Sequence, residues 1–295
     1  MRAALVSLFF LAGTAAQGEP DYSDVAAIFQ SRCTTCHFGP YAPVGLSLAS
    51  YDDIMSGSWN GQVASPGNPG GELLARLRGE ALPRMPLDGP PFLDDTEIDL
   101  IEAWIVSGMP DSLQDVPEVQ ARPIPQPGED VIWPDVQPIL RRSCIECHSD
   151  NSKYASPPEG LRLDSLENVL DGGERLAVMP GQVRASELWR RVTGHASPRM
   201  PYDGPPWLSE EEIRLISDWI AQGARDENGQ PAPIPEGKRV RWRGILTSEN
   251  SIDGAEFRIT PSTRIDDRPR IGAQAEMRGM VAADGSILAT RLRDR

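Results

Sequence analysis

The chain has 295 residues, of which 39% are apolar, and a formal net charge of −14. At roughly 100–200 residues per domain the length suggests two or three domains, and the acidity argues against a nucleic-acid binder, which needs basic surface. The charge is uneven: residues 17–237 hold 16 Lys and Arg against 35 Asp and Glu, a balance of −19, whereas residues 238–295 hold 12 against 8, a balance of +4.

The first predicted element is a targeting segment. In MRAALVSLFFLAGTAAQ one Arg precedes an apolar run from Ala3 to Ala12 and small residues ending Thr14-Ala15-Ala16, the pattern of a secretory signal over residues 1–16, cleaved near Ala16. The run is shorter than the about 20 apolar residues that span a bilayer, and no later segment approaches that length. The mature chain is therefore expected to be exported, in the periplasm of a Gram-negative host, with no transmembrane segment.

The next element is a helix, because Val25, Ile28 and Phe29 recur at helical spacing. It leads into SRCTTCHFGP, which contains Cys33, Cys36 and His37. An oxidising compartment makes a disulfide the default for paired cysteines, and zinc is the other plain alternative. The chain has four cysteines, however, and the other two form the same pattern, Cys144 and Cys147 followed by His148. C-x-x-C-H is the pattern of c-type haem attachment, in which the thiols form thioethers and the adjacent imidazole meets the iron. A thioredoxin-like dithiol needs no His there and comes with a βαβ pattern, which the sequence lacks.

The chain repeats itself. DVAAIFQSRCTTCH, Asp24 to His37, aligns with DVQPILRRSCIECH, Asp135 to His148, at an offset of 111. PRMPLDGPPFL from Pro83 aligns with PRMPYDGPPWL from Pro198 at an offset of 115, which continues through a closing helix. In that helix Ile98, Ile101 and Ile105 match Ile213, Ile216 and Ile220, beside Trp104 and Trp219. Ser209 and Glu212 form a capping-box pair at its start, and Gly108 and Gly223 are its expected stops. The Gly- and Pro-rich sequence between opening and closing helices is expected to form long ordered loops, with an enclosed haem supplying apolar mass. The boundaries follow: module one at 17–111, a Pro-rich linker at 112–130, module two at 131–226 and a second linker at 227–237. Residues 238–295 alternate apolar and polar residues around Asp253-Gly254 and Asp284-Gly285, a small antiparallel β module. It is expected to be autonomous, so that truncation after Gly237 leaves the haem sites unchanged.

Each haem needs a second axial ligand. Only three histidines exist, so His pairs for both irons are impossible, and of eight methionines Met85 and Met200 alone occupy matching positions. Each precedes a proline, which disfavours α conformation and presents the Met from an extended loop; core filler is the alternative role for a Met. Arg84 and Arg199 precede them and are candidates for haem propionate contacts through a bidentate fork, with plain solvation as the alternative. His195 reads as a surface loop residue, with replacement of Met200 on the iron as the other option. No Ser/His/Asp or Cys/His nucleophile can be assembled from the remaining residues.

These residues resemble the class I c-type cytochromes, and within them the planctomycete-type cytochrome c domain. The resemblance covers 24–111 and 135–226 and rests on the two C-x-x-C-H sites, GLRLDS at Gly160, Pro180-Gly181, SELWRRV at Ser186, the RMP loops and the W-I-x-x-G endings at Trp104 and Trp219. Module one departs from it at GLSLASYDD and at Trp59. The resemblance implies two mainly α cytochrome c modules in tandem with His/Met iron. Residues 238–295 resemble a small OB-like β-barrel module of exported bacterial proteins. The function implied is electron transfer by two haem c groups; His/Met ligation raises potential relative to bis-His. Acidic surface favours redox partners with basic docking surfaces. A dihaem peroxidase, a cytochrome subunit of a periplasmic dehydrogenase and a haem-based redox sensor are the alternatives.

Overall fold

The computed structural model describes residues 19–39, 42–112, 116–117, 119, 122–204, 206–267 and 269–295. The expected signal peptide at 1–16 lies outside them.

Among the described residues eight α-helices come in two sets of four. The first set is α1 (Tyr22–Arg32), α2 (Tyr51–Ser56), α3 (Glu72–Arg78) and α4 (Asp95–Val106), and the second is α5 (Trp133–Ser143), α6 (Leu166–Asp171), α7 (Glu187–Val192) and α8 (Glu210–Ala221). The structural repeat follows the sequence offsets helix by helix. Even the unusual backbone recurs: Val44 and Glu159 share positive φ, 48° and 56°, as do Met109 and Ala224 at 53° and 52°. The spans expected as loops thus contain two short helices each. Ser50 caps α2 by accepting from Asp53 N–H, and Ser165 caps α6 by accepting from Asn168 N–H. Local capping by short polar residues starts these helices, a signal hidden among the many Gly and Pro.

Each set closes its own core where opening and closing helices pack. Phe29 meets Trp104 edge-on at 6.1 Å, and Trp133 meets Trp219 at 5.8 Å. Val25, Ile98, Ile101 and Ile105 are buried in the first core and Val136, Ile139, Ile216 and Ile220 in the second, as their periodicity predicts. The indole N–H groups donate to Pro110 and Arg225 carbonyls at 3.0 and 2.9 Å, so neither buried Trp leaves its donor unmet. The Ser209–Glu212 capping box of α8 forms as expected, and α4 has its equivalent in Asp94 and Glu97.

The two sets touch directly. Arg141 of α5 pairs with Asp88 at 2.5 Å, Asn151 donates to the Arg84 carbonyl at 2.9 Å, and Leu87 packs against the second core. The loop carrying Met85 therefore lies on the helix that leads into Cys144.

The C-terminal part is a six-stranded sheet built from β1 (Arg239–Ser248), β2 (Ser251–Ile252), β3 (Ala255–Glu256), β4 (Arg264–Asp266), β5 (Gln274–Val281) and β6 (Ile287–Asp294). Its order is β3-β2-β1-β5-β6-β4, antiparallel except for the β4–β6 pair. The expected closed barrel is not formed. β3 and β4 remain as the outer strands, and a single bridge from Arg258 to Leu288 is too little to close the sheet. The Asp253-Gly254 turn has both residues at positive φ, 50° and 78°, which a tight hairpin turn requires.

This sheet packs on the second helical set. Leu176, Met179 and Ala185 of the second helical set are buried in one core with Val240, Trp242, Leu246, Phe257 and Met277 of the sheet. Leu176 N–H donates to the Arg239 carbonyl at 2.9 Å, and Gln182 reaches the Gly285 carbonyl at 2.8 Å. Arg190 of α7, fully buried, bonds the Arg243 carbonyl at 2.9 Å and Asp253 at 2.8 Å. The Pro-rich approach is short, and Ala232 within it packs against the second core, so the sheet is held on the helices rather than tethered apart. Among the described residues no helix is long and apolar enough to cross a membrane.

Candidate functional site

The C-x-x-C-H segments are helical turns that continue α1 and α5. Cys144 N–H donates to the Leu140 carbonyl at 2.8 Å and His148 N–H to the Cys144 carbonyl at 3.0 Å; the first set repeats this with Cys33 to Phe29 at 2.9 Å and His37 to Cys33 at 2.8 Å. After the turn the backbone is tied down again, by Leu163 N–H to the His148 carbonyl and Leu48 N–H to the His37 carbonyl, each at 2.8 Å.

In the second set this turn opens on a cavity of about 470 Å³ lined by Cys144, Cys147, His148 and Met200 together, within the range of cofactor sites. Leu161, Leu163, Leu176, Ala177, Leu188 and Val192 give it an apolar wall. Met200 is delivered by a loop anchored through its N–H to the Arg191 carbonyl at 3.1 Å, and Met85 by the same bond to Arg76 at 3.0 Å. Met85 is half-buried against the first core.

Burial dominates the electrostatics of the cysteines: it pushes the Cys33 and Cys144 thiols up to about 12 and raises those of Cys36 and Cys147. No disulfide joins the four cysteines. Among the described residues no three His, Cys, Asp or Glu side chains converge into a metal-binding group. Burial lowers both His37 and His148, which keeps each imidazole neutral and its lone pair available to a metal. His148 Nδ1 lies 3.0 Å from the Leu161 carbonyl; donation there fixes the tautomer that leaves Nε2 free, the way ligating histidines are oriented. His37 Nδ1 is buried beside the Leu46 backbone, as His148 is beside Leu161, but without a hydrogen bond of ordinary geometry among the described residues.

The remaining expected residues are placed as follows. Arg84 lies over Phe92 at 4.0 Å and Arg199 over Trp207 at 4.2 Å, cation–π contacts that are the same in both sets. Their Nε groups donate to the Leu77 and Val192 carbonyls at 3.3 and 3.2 Å. Arg199 is not among the residues lining the cavity; Arg175, Arg191, Arg241 and Arg243 are. His195 is exposed, stacked on Trp189 at 4.7 Å and bonded through Nδ1 to Thr193 at 2.8 Å, outside the cavity wall. Sequence reasoning overlooked Arg241 and Arg243, which lie in a segment assigned to a separate module. It also overlooked Arg141, whose guanidinium sits beside Cys36 as well as Asp88.

Compared with known proteins, residues 144–204 match the family model described as Planctomycete cytochrome C. The match runs from the first cysteine of the second site to just past Met200 and supports a cytochrome c-like domain there, with covalently bound haem c and haem-based electron transfer as the associated chemistry. No curated protein matches the chain and no solved structure matches it.

Proposed function

We propose that the protein is an exported electron carrier with two covalent haems, one on Cys33 and Cys36 with His37 and Met85 as axial ligands, the other on Cys144 and Cys147 with His148 and Met200. The observation that carries this is the second cavity, which both cysteines, the neutral histidine and the methionine line together. The first site follows from the repeat: the same turn, the same backbone ties and the same Met-bearing loop. When bound, the haem supplies a reversible one-electron couple between ferrous and ferric iron.

The chain's residues hold and tune that group. The thiols would anchor it, the Leu161 carbonyl orients His148, and Met200 would be its second protein ligand, so that the group would supply electron transfer rather than peroxide chemistry. The half-buried Asp88–Arg141 pair joins the Met85 loop to α5 and sets Cys36 close to the second module. Export to a periplasm keeps the chain where haem c is attached, and the acidic helical part suits partners with basic docking surfaces. The tandem modules occupy 17–111 and 131–226.

The test is mass spectrometry and visible spectroscopy of protein matured in a host that attaches haem c. The expected result is two haem additions and spectra unchanged by carbon monoxide or hydrogen peroxide. Free thiols would overturn the haem reading, and a carbon monoxide complex would overturn the carrier in favour of an enzyme or sensor.

A further inference from the structure

The sheet contributes two cations to the second cavity. Arg241 and Arg243 both line it; two positions apart on β1, they project from one face of the strand. On the neighbouring strand Glu276 stands directly across from Arg243, and across from Glu276 on β6 stands Arg293. The Glu276 side chain is fully buried, with Arg241, Arg243, Arg278 and Arg293 at 2.8, 2.9, 2.8 and 3.2 Å. One carboxylate thus answers four guanidinium groups, and like charges gathered in this way are unfavourable without further anions. The Nε of Arg241 is buried with no hydrogen-bond partner, so the cluster has donor capacity to spare.

The acids of the cavity wall do not absorb that surplus. Glu159 pairs with Arg175, Glu187 with Arg191 at 2.8 Å and Glu146 with Lys153 at 3.3 Å, which leaves Glu174 and Asp203 as the remaining acids on the wall. The guanidinium cluster, with one buried carboxylate among four cations, borders a cavity whose group, when bound, would carry two carboxylates.

We propose that Arg241 and Arg243 receive the propionate carboxylates of the haem held at Cys144 and Cys147, so that the C-terminal sheet is a wall of the second haem site and helps to set its potential. This rests on the haem reading given under Proposed function. Guanidinium groups suit the task because their fork matches a carboxylate and is not deprotonated in proteins. Neutralising propionate charge removes an influence that favours ferric iron, so the pairing holds the potential up. The proposal accounts for a basic segment of +4 on an acidic chain, and it moves the propionate role away from Arg199, whose guanidinium lies on Trp207.

The test is a redox titration of the full-length protein carrying haem. Arg241→Gln/Arg243→Gln is expected to lower the potential of one haem and leave the other unchanged. Glu276→Gln, which removes the competing carboxylate, is expected to raise that same potential, and Arg264→Gln on the outer strand β4 to change neither. Opposite signs at neighbouring positions separate charge placement from a general loosening of the fold, which would move both variants the same way. Single Arg241→Gln leaves Glu276 three guanidinium partners and serves if the double variant does not fold. Unchanged potentials in the Arg variants, or shifts of equal sign in the Arg and Glu276 variants, would overturn the proposal while leaving the haem reading intact. Failure of the parent protein to carry haem on Cys144 and Cys147 would overturn the haem reading instead.

Discussion

Truncation after Gly237 tests whether the sheet and the second helical set are one folding unit. In the intact chain Leu176, Met179 and Ala185 are 3%, 1% and 4% exposed because the sheet covers them. Burying a Leu or Met side chain contributes about 1.5–3 kcal/mol, so uncovering both costs about 3–6 kcal/mol. Residual burial in the unfolded chain trims this by about 10–40%. The bonds of Leu176 N–H and Gln182 to the sheet exchange for water at about 0.5–1.5 kcal/mol each. Arg190 becomes solvated once its sheet partners are gone, which spares the cost of an unpaired buried cation. A loss of about 3–6 kcal/mol is large against a total of about 5–15 kcal/mol. At about 2–4 °C per kcal/mol the melting temperature of the second helical set should fall by about 6–24 °C. The assay is thermal unfolding of full-length and truncated chains followed by far-UV circular dichroism and by haem absorbance. Melting within about 2 °C of the full-length protein, with both haem spectra intact, would refute the shared core and restore the autonomous module that the sequence suggests.

Replacing Met200 with His should lower the potential of one haem and leave the other nearly unchanged, since bis-His ligation lies below His/Met; a titration identical to the parent would remove Met200 as a ligand. Arg141→Met should cost about 1–3 kcal/mol by leaving Asp88 without its 2.5 Å partner, read as a lower urea midpoint at constant slope; an unchanged midpoint would show that the pair does not join the modules. Acid should weaken the sheet. Burial alone would raise the Glu276 carboxyl, but hydrogen bonds from Arg278, Arg243 and Arg293 outweigh it and hold the group at about 2 against an ordinary 4.5. A depressed carboxylate stabilises the fold above pH 4.5, and that contribution is lost as pH falls towards 2. At about 1.4 kcal/mol per tenfold change this corresponds to about 3 kcal/mol, which solvent screening of the partly exposed arginines reduces to about 1–2 kcal/mol. Urea midpoints of the parent at pH 7, 4 and 3 should drop accordingly, and Glu276→Gln should flatten the drop; equal slopes in parent and variant would exclude Glu276 as its source.

Much of the candidate site is written in the sequence by itself. C-x-x-C-H is a contiguous pattern, and Met85 and Met200 emerge because two copies can be compared. The opening and closing helices declare themselves through periodic apolar residues and, at Ser209 and Glu212, through a cap, all signals carried by neighbours along the chain. Only the tertiary structure decided what the sheet does. Its order and its open edges depend on which strands meet across long separations, and strands as short as Ser251–Ile252 have no pattern of their own. Contact with the second helical set left a faint trace, since Leu176, Met179 and Arg190 stand where the first set has Gln62, Ser65 and Ala75. Those three residues are exceptional only once a partner surface is in place to bury them. Arg241 and Arg243 likewise read as ordinary charged positions on an alternating strand. They become part of a cofactor site because the core of Leu176, Met179 and Trp242 seats the sheet against the helices and turns that face into the cavity.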